Sequence, residues 1–261
     1  MKVKLKVALT LAIGVVFFYT ACKKTNTAPA EKTVSEKDIS SQIALNLSQS
    51  FNGAHGGVNL SDGIKAPALI INNHKGLSLN AVNPVLCGFR LDTTVNYSNN
   101  TGGTQSTIKG RWIFAFTCSN GIPGGKADGI KVVTSLVDTG KNAQYTFDYF
   151  LDQIYDIKTL NAQNTLITLN GPLTSIGHFI FTNPAYQPAS AGFWYKLNDL
   201  HVDLTNNADV ISGTATFTVQ GNSYLGKYKY IGNIVFLGNH MIDITINGKT
   251  YKVDLLTGKV I

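Results

Sequence analysis

The stretch VLCGFRLDTTVNYSNNTGGTQSTIKGRWIFAFTC, residues 85–118, decides the fold of this chain. Apolar and polar residues alternate on both sides of a central glycine pair, a pattern typical of two β-strands joined by a tight turn. A two-residue turn at Gly102 and Gly103 places Leu91 opposite Phe114 and puts the apolar side chains on one face. A shift of one residue would send all of them to the other face. The stretch therefore predicts an antiparallel hairpin with one buried face.

The same register places Cys87 opposite Cys118 on the apolar face. Directly opposed residues of antiparallel strands have Cα atoms about 4.5–5.5 Å apart, which lies within the range of a disulfide. A reactive thiol pair is the alternative reading, but the two cysteines lack a CxxC spacing. We therefore predict a disulfide between the two hairpin strands.

The last fifty or so residues predict a second meander with three turns. A turn at Gly221-Asn222 would set Val219 opposite Tyr224, and a three-residue loop at 238–240 would join the next two strands. Asn247-Gly248 is the strongest short hairpin signal of the chain. The further predicted pairs are Phe217 with Gly226, Ala215 with Tyr228, Phe236 with Ile242, Ile234 with Ile244, Ile244 with Tyr251, and Ile242 with Val253. One face of this sheet is apolar and the other polar.

Shorter strand signals lie between the two meanders, in residues 130–137, 143–154, 165–169, 176–181 and 193–205. The last of these changes phase near Asn198-Asp199, which indicates a β-bulge. About ten strands fit one antiparallel β domain over residues 58–261. The predicted class is all-β, built from meander sheets as a two-sheet sandwich or as a rolled, strongly curved sheet.

One amphipathic helix is predicted before the strands, over residues 35–53. Thr33 or Ser35 can cap its N-terminus, and the glycines from Gly53 onward end it. Apolar residues recur every four positions and form one stripe, while the opposite side carries Ser, Gln and Asn. The stripe consists of Ile39, Ile43, Leu47 and Phe51. Because the polar side is mainly Ser, Gln and Asn, with Lys37 as its single cation, we expect the helix to dock on the β domain rather than lie on a membrane.

The N-terminus has the three regions of a secretory signal peptide, residues 1–21. A basic stub is followed by an apolar run from Val7 to Tyr19, which is too short for a transmembrane helix. Tyr19-Thr20-Ala21-Cys22 resembles the lipobox of bacterial lipoproteins. The resemblance implies cleavage before Cys22, a diacylglycerol on its sulfur, and a polar tether over residues 22–34. Secretion would also supply the oxidising compartment that a Cys87–Cys118 disulfide needs.

Charge excludes nucleic acid as the expected partner. The full chain carries a net charge of +7, and the signal peptide removes three lysines, so the mature chain has 19 basic and 15 acidic residues, or +4. Two of these cations, Lys23 and Lys24, follow the lipidated cysteine directly, where they favour anionic lipid head groups. By analogy with bacterial lipoproteins, the absence of Asp at position 23 favours transport to the outer membrane.

The whole mature chain resembles a loose group of β-rich bacterial envelope lipoproteins with no characterised activity. The shared features are the lipobox, a Cys-Gly strand paired with a later Cys-Ser-Asn-Gly, and the ending Thr245 to Asp254. The resemblance implies location and architecture, and it transfers no catalytic residue and no cofactor to this chain.

Catalytic motifs are absent from the sequence: it contains no HExxH, GxSxG, GxGxxG or paired CxxC. One constellation, Asp199, His201 and Asp203, alternates on a strand and would project from one face. Two carboxylates flanking an imidazole can bind a divalent metal or orient a general base. The alternative is that the three residues, like Asp148 and Asp152 on an earlier strand, only face water.

Aromatic residues indicate a possible binding surface. In Phe193-Trp194-Tyr195, alternation sends Trp194 to the opposite face from its neighbours. An exposed tryptophan on a sheet can stack on a sugar ring or hold a partner, although packing in the core or under a loop is the alternative. Tyr186, in a proline-containing loop, could join it. The even-numbered tyrosines could join it as well: Tyr224, Tyr228 and Tyr230.

These observations leave two function classes. The first is a lipid-anchored, non-catalytic binding or structural module of the cell envelope, which recognises glycan, lipid or another protein. The second is an envelope hydrolase that uses the face of Asp199, His201 and Asp203. Polar side chains that converge on a deep cleft would favour the enzyme. A flat face of Thr and Lys or an apolar trough would favour the binding module, and a trough would indicate lipid handling.

Overall fold

The computed structural model describes residues 34–64, 87–101, 103–119 and 126–261. The predicted signal peptide, the lipidated Cys22, the two lysines beside it and almost all of the tether lie outside these described residues, as do Thr33 and Gly102. The described residues form one helix, α1 (Glu36–Phe51), two short 3₁₀ turns (Ala54–Gly56 and Leu60–Asp62) and ten strands. The strands are β1 (Arg90–Thr101), β2 (Thr104–Thr117), β3 (Gly129–Lys141), β4 (Tyr145–Thr159), β5 (Leu166–Phe181), β6 (Ala189–Asp203), β7 (Asp209–Ser223), β8 (Gly226–Gly238), β9 (Met241–Ile246) and β10 (Lys249–Asp254).

All ten strands belong to one antiparallel meander, in which each strand pairs with the next one along the chain. The sheet does not close, because β1 and β10 do not pair with each other. The all-β antiparallel prediction is therefore confirmed. Of its two alternative architectures, the single curved sheet is present and the two-sheet sandwich is not.

The decisive hairpin has the predicted register. Leu91 pairs with Phe114, and Tyr97 pairs with Ile108. Just before β1 and just after β2, Cys87 and Cys118 are joined in a disulfide, with their Cα atoms 5.6 Å apart. The bond fastens the open end of the hairpin and closes a loop that spans 31 positions.

The prediction of the second meander is correct at two turns and wrong at the first. The loops at Gly238 and Asn247 give the predicted pairs of Ile242 with Phe236 and with Val253. Gly221 and Asn222, however, lie inside β7, and the chain turns three residues later, where Ser223 pairs with Gly226. Gly226 has a φ of 102°, a conformation that glycine adopts easily.

One strand is also longer than the sequence indicated. The signals at 165–169 and 176–181 belong to a single strand, β5, which continues through Gly171. The pairing of β5 with β6 shifts between Leu169 and Gly171, and Gly171 has a φ of 132°. A Cβ at this position would collide with the carbonyl oxygen of Ile154, so glycine lets the strand bend there without ending.

Helix α1 begins at the Ser35 cap, whose hydroxyl oxygen accepts a hydrogen bond from the Asp38 amide. The predicted apolar stripe is buried: Ile39, Ile43 and Leu47 are fully buried. Much of the polar side is buried as well, so the helix lies inside the molecule rather than on its surface. The buried polar residues of the helix are Ser40, Ser41, Asn46, Ser48 and Ser50.

The sheet curves around this helix. Asn46 reaches strands β4 to β6, and Glu36 accepts a hydrogen bond from the Tyr251 hydroxyl on β10. Six strand spacings separate β4 from β10, roughly 29 Å in a flat sheet, whereas a helix with its side chains is only about 10–12 Å wide. Helix α1 can therefore contact both β4 and β10 only if the sheet curls around it. We call the face that packs against α1 the inner face and the opposite one the outer face.

Candidate functional site

The inner face is occupied by the folded chain itself. Its large apolar side chains form one core with α1, and Trp112, Phe114 and Tyr155 on it are at most 2% exposed. An apolar trough, one of the surfaces that would favour a binding module, is not open on this face, because the helix fills it in the described part of the chain. A ligand has direct access to the outer face, which is therefore the place to look for a recognition site.

An apolar strip crosses the outer face from β3 to β6. Val137 pairs with Phe150, which pairs with Ile176, which in turn pairs with Gly192. Val137 is 43% exposed, and Phe150 and Ile176 are half-buried. The indole of Trp194 lies over the last position of this strip. We call Val137, Phe150, Ile176 and Trp194 the outer-face platform.

Gly192 leaves room for the indole of Trp194 at the surface of the sheet. A Cβ added to Gly192 would be 2.8 Å from Cζ3 of the indole, so the benzene ring occupies the space above the glycine backbone. Trp194 is half-buried, while its neighbours Phe193 and Tyr195 are buried on the inner face, as strand alternation predicts. The benzene ring of the indole therefore packs over the Gly192 backbone, and the side chain remains partly accessible to a ligand.

A cleft of about 520 Å³ opens at the tips of β1 to β4. Its lining is composed of hydroxyl, amide and glycine residues, with Lys141 as the one charged residue. Strand alternation places seven of the lining residues on the outer face, and we call this set the hydroxyl cleft. The seven residues are Ser98, Asn100, Gln105, Thr107, Thr139, Lys141 and Thr146.

Polar groups connect the hydroxyl cleft to the outer-face platform. Thr139 pairs with Asp148, which pairs with His178, which pairs with Ser190, two residues from Gly192. Beyond the apolar strip, Asp152 pairs with Thr174, which pairs with Trp194, and burial raises the pKa of the Asp152 carboxyl. A polar row that begins at Thr139 and the apolar strip of the platform thus run side by side from β3 to β6.

Two exposed lysines border this region: Lys109 pairs with Val137, and Lys196 lies beside the platform on β6. Arg111 is bound to Asp92, with its Nε and one terminal nitrogen 2.8 and 2.7 Å from the two carboxylate oxygens. This pair lowers the pKa of the Asp92 carboxyl, first through the hydrogen bond from Arg111. A surface for polyanions would need several unpaired cations.

The predicted acidic and histidine constellation lies elsewhere on β6. The bulge that the sequence indicated is present, because the pairing shifts between Asn198 and His201, and Asp199 has a φ of 48°. His201 Nε2 is 3.5 Å from the Asp199 carboxylate, which is 75% exposed. The Asp203 carboxylate instead accepts hydrogen bonds from the backbone and side chain of Thr205.

No cluster of three or more metal-binding side chains occurs in the described ranges. The constellation is also about six strand residues from Trp194, roughly 20 Å along β6, and it contributes no side chain to the hydroxyl cleft. The structure therefore does not gather the trio and Trp194 into one concavity.

The other aromatic candidates are separated from Trp194. Tyr186 packs against Phe181, with ring centroids 5.8 Å apart. Tyr230 is paired with the buried Val219, and its hydroxyl donates to the backbone oxygen of Val34 near α1. Tyr228 lies on the same side, where burial raises its pKa to about 12. These two tyrosines thus belong to the inner side of the sheet.

Sequence reasoning missed a buried polar cluster at the end of the helix. His55 Nδ1 is 2.9 Å from the Asp138 carboxylate, and the imidazole stacks on Tyr149 at 3.7 Å between ring centroids. Asp138 is 4% exposed. A single histidine beside glycines gave no signal for this contact, because its partner is 83 residues away.

Sequence reasoning also missed the hydroxyl cleft, since Ser, Thr and Asn side chains that face solvent are ordinary on a sheet.

Within the described part of the chain, no helix has the length and apolar character needed to cross a bilayer. Comparison of the chain with protein-family models, curated proteins and solved structures gave no match. The functional argument therefore depends on the residues of this chain alone.

Proposed function

We propose that this chain is a lipid-anchored protein of the bacterial cell envelope that acts as a non-catalytic binding module through its outer face. The observation that carries the proposal is the Trp194 indole, which lies on Gly192 at the edge of an exposed apolar strip. Apolar patches with a polar rim mark interaction sites on soluble domains. Such a surface offers contact without the enclosed, water-excluding site that catalysis usually requires.

The anchor is proposed at Cys22. Cys87 and Cys118 are bonded to each other, which leaves Cys22 as the only cysteine of the chain available for acylation. Two or three acyl chains give stable attachment, since each buried methylene contributes about 0.8 kcal/mol. The tether would then separate the β domain from the membrane, and Lys23 supports an outer-membrane destination.

The hydrolase alternative is not carried further. The Asp203 carboxylate is occupied by Thr205, and Asp199 is largely solvated. A general base needs a fixed orientation relative to its substrate, and nothing in the surroundings of His201 favours such a site.

Acylation at Cys22 can be measured directly. In a bacterial host fed an alkyne fatty acid, the wild-type chain is expected to incorporate the label and to partition into detergent with the membranes. Cys22→Ser is expected to lose both the label and the membrane association, whereas Cys118→Ser should retain the label. Equal labelling of wild type and Cys22→Ser would contradict the proposed anchor.

Recognition by the outer face can be tested with envelopes from the bacterium that encodes the chain. The mature chain with Cys22→Ser, which cannot adsorb through acyl chains, is expected to sediment with these envelopes. Adding Trp194→Ala should weaken binding about ten-fold, because a stacked aromatic contributes about 1.4 kcal/mol or more through stacking and area. Leu237→Ala removes another exposed apolar side chain, distant on β8, and should not change binding. Equal binding of the two variants would refute this use of the outer face.

A further inference from the structure

We infer that the ligand of the outer face is a glycan chain, bound along a track that runs from the hydroxyl cleft to the Trp194 indole. This inference rests on the proposed function, because it names the chemistry that the same surface would recognise. It assigns a second binding element, the cleft, which the sequence did not indicate.

The lining of the cleft fits a polyhydroxylated ligand. Hydroxyl and amide side chains can both donate and accept hydrogen bonds, and so can the hydroxyl groups of a sugar. The hydroxyls of Ser98 and Thr107, which pair across β1 and β2, already share a hydrogen bond of 3.1 Å. The neighbouring Thr139 and Thr146 are exposed and point outward, which leaves their hydroxyls accessible to a ligand.

The indole supplies the other half of sugar recognition. A pyranose ring has one face rich in C–H groups, and this face packs on an aromatic ring, while its edge hydroxyls need polar partners. Trp194 provides the ring, and Thr174 and Thr218 flank it on the adjacent strands. Gly192 leaves the space that the indole occupies at the surface of the sheet.

The spacing between the two elements fits a chain rather than a single sugar. Three strand spacings separate Thr139 from Ser190, roughly 14–15 Å. Along this line Asp148 and His178 are paired side by side and offer hydrogen-bonding groups. Phe150 and Ile176 are paired in the adjacent row and offer apolar contact. An extended oligosaccharide that follows these two rows would therefore contact polar groups along one side and apolar groups along the other.

Other classes of ligand fit this surface less well. A polynucleotide needs a series of cations along its path, but on this surface Lys109 and Lys141 are interspersed with carboxylates such as that of Asp148. The nearby Arg111 is bound to Asp92. A lipid chain needs an apolar cavity, and the described inner face is filled by α1. A protein interface usually has an apolar core enriched in aromatic residues and Arg, whereas the cleft is lined by neutral polar groups.

The binding test uses the mature chain with Cys22→Ser and a panel of soluble cello-, laminari-, manno-, malto- and chito-oligosaccharides, measured by calorimetry. At least one series is expected to bind, with affinity increasing with chain length. Trp194→Ala should weaken that binding about ten-fold and Trp194→Phe by less, since phenylalanine keeps an aromatic face. The double variant Thr139→Val/Thr146→Val should weaken it about five-fold through two lost hydrogen bonds. The matched control is Thr214→Val, the same change at an exposed position of β7 outside the track, which should bind as wild type.

Treatment of the envelopes separates the ligand class from the proposed function. If periodate oxidation, or a glycoside-hydrolase mixture for sugars without vicinal diols, abolishes the Trp194-dependent sedimentation and protease treatment does not, the glycan assignment stands, even when the ligand is absent from the oligosaccharide panel. If protease abolishes the sedimentation and neither periodate nor the hydrolases do, the ligand is a protein: the glycan inference fails and the proposed binding function survives. If sedimentation never depends on Trp194, the proposed function itself fails.

Discussion

Replacing Asn46 by leucine is expected to lower the free energy of unfolding by about 2–4 kcal/mol, because three buried hydroxyl groups each lose a hydrogen bond and only those of Tyr149 and Ser175 can still bond to each other. The Asn46 amide donates to the Tyr149 hydroxyl at 3.2 Å, and its oxygen accepts from Ser175 and Tyr195 at 3.0 Å each. The three partners lie on β4, β5 and β6, so one side chain of α1 fastens the helix to three strands. Denaturant unfolding at neutral pH, with the disulfide intact, measures the loss.

The cause can be isolated in a background without the partner hydroxyls. In Tyr149→Phe/Ser175→Ala/Tyr195→Phe, the further change Asn46→Leu should cost about 1 kcal/mol or less, since no hydroxyl is then left unsatisfied. Asn222→Leu, the same substitution at an exposed position of β7, should change stability by only about 0.5 kcal/mol. An equal cost of Asn46→Leu in both backgrounds would show that packing, and not the hydrogen-bond network, dominates.

The success of the strand predictions depended on the turns. The register was right at Gly102-Gly103, at Gly238 and at Asn247-Gly248, where a glycine or asparagine sits directly between two alternating runs. It was wrong at Gly221-Asn222, because a second glycine, Gly226, lies nearby. Both candidate registers place Val219 opposite an even-numbered tyrosine, so side-chain alternation could not distinguish them.

The burial of polar helix residues could not be predicted from the sequence. Asn46 looks like a solvent-facing position until strands more than a hundred residues away provide partners for it. The contact between His55 and Asp138 likewise has no local signal, because 83 positions of sequence separate the two residues. Local periodicity reports which side of a helix is apolar, but it does not report whether a curled sheet covers the other side too.

The candidate site was predictable in part. Alternation was sufficient to send Trp194 to the outer face, but it could not show that Gly192 supports the indole or that Ile176 and Phe150 continue the strip. The hydroxyl cleft requires the side-by-side arrangement of four strands. The site and the core use opposite faces of one sheet, so variants of Trp194 or Thr139 can test binding without disturbing the contacts of α1.

Alkaline pH is expected to unfold the protein cooperatively, because tyrosine hydroxyls are buried on the inner face. Burial raises the pKa of Tyr149, Tyr155 and Tyr195 above the ordinary value for tyrosine, and it raises the pKa of Tyr97 to about 12. These phenols stay neutral in the fold, whereas in the unfolded chain they ionise near pH 10. Their contribution to stability is therefore complete below about pH 10 and is lost as the pH rises towards their folded pKa values.

The size of the effect follows from the number of phenols. Each fully buried tyrosine removes about 1.4 kcal/mol of stability per pH unit above 10, so the three together remove about 4 kcal/mol per unit. Because a domain has only about 5–15 kcal/mol to lose, the sheet should unfold within roughly one to three units above pH 10. Circular dichroism and tyrosinate absorbance should change together, and both should recover on return to neutral pH. Tyr155→Phe should make the decline shallower by about one third, whereas ionisation of all tyrosines near pH 10 with the sheet intact would contradict the burial of these groups.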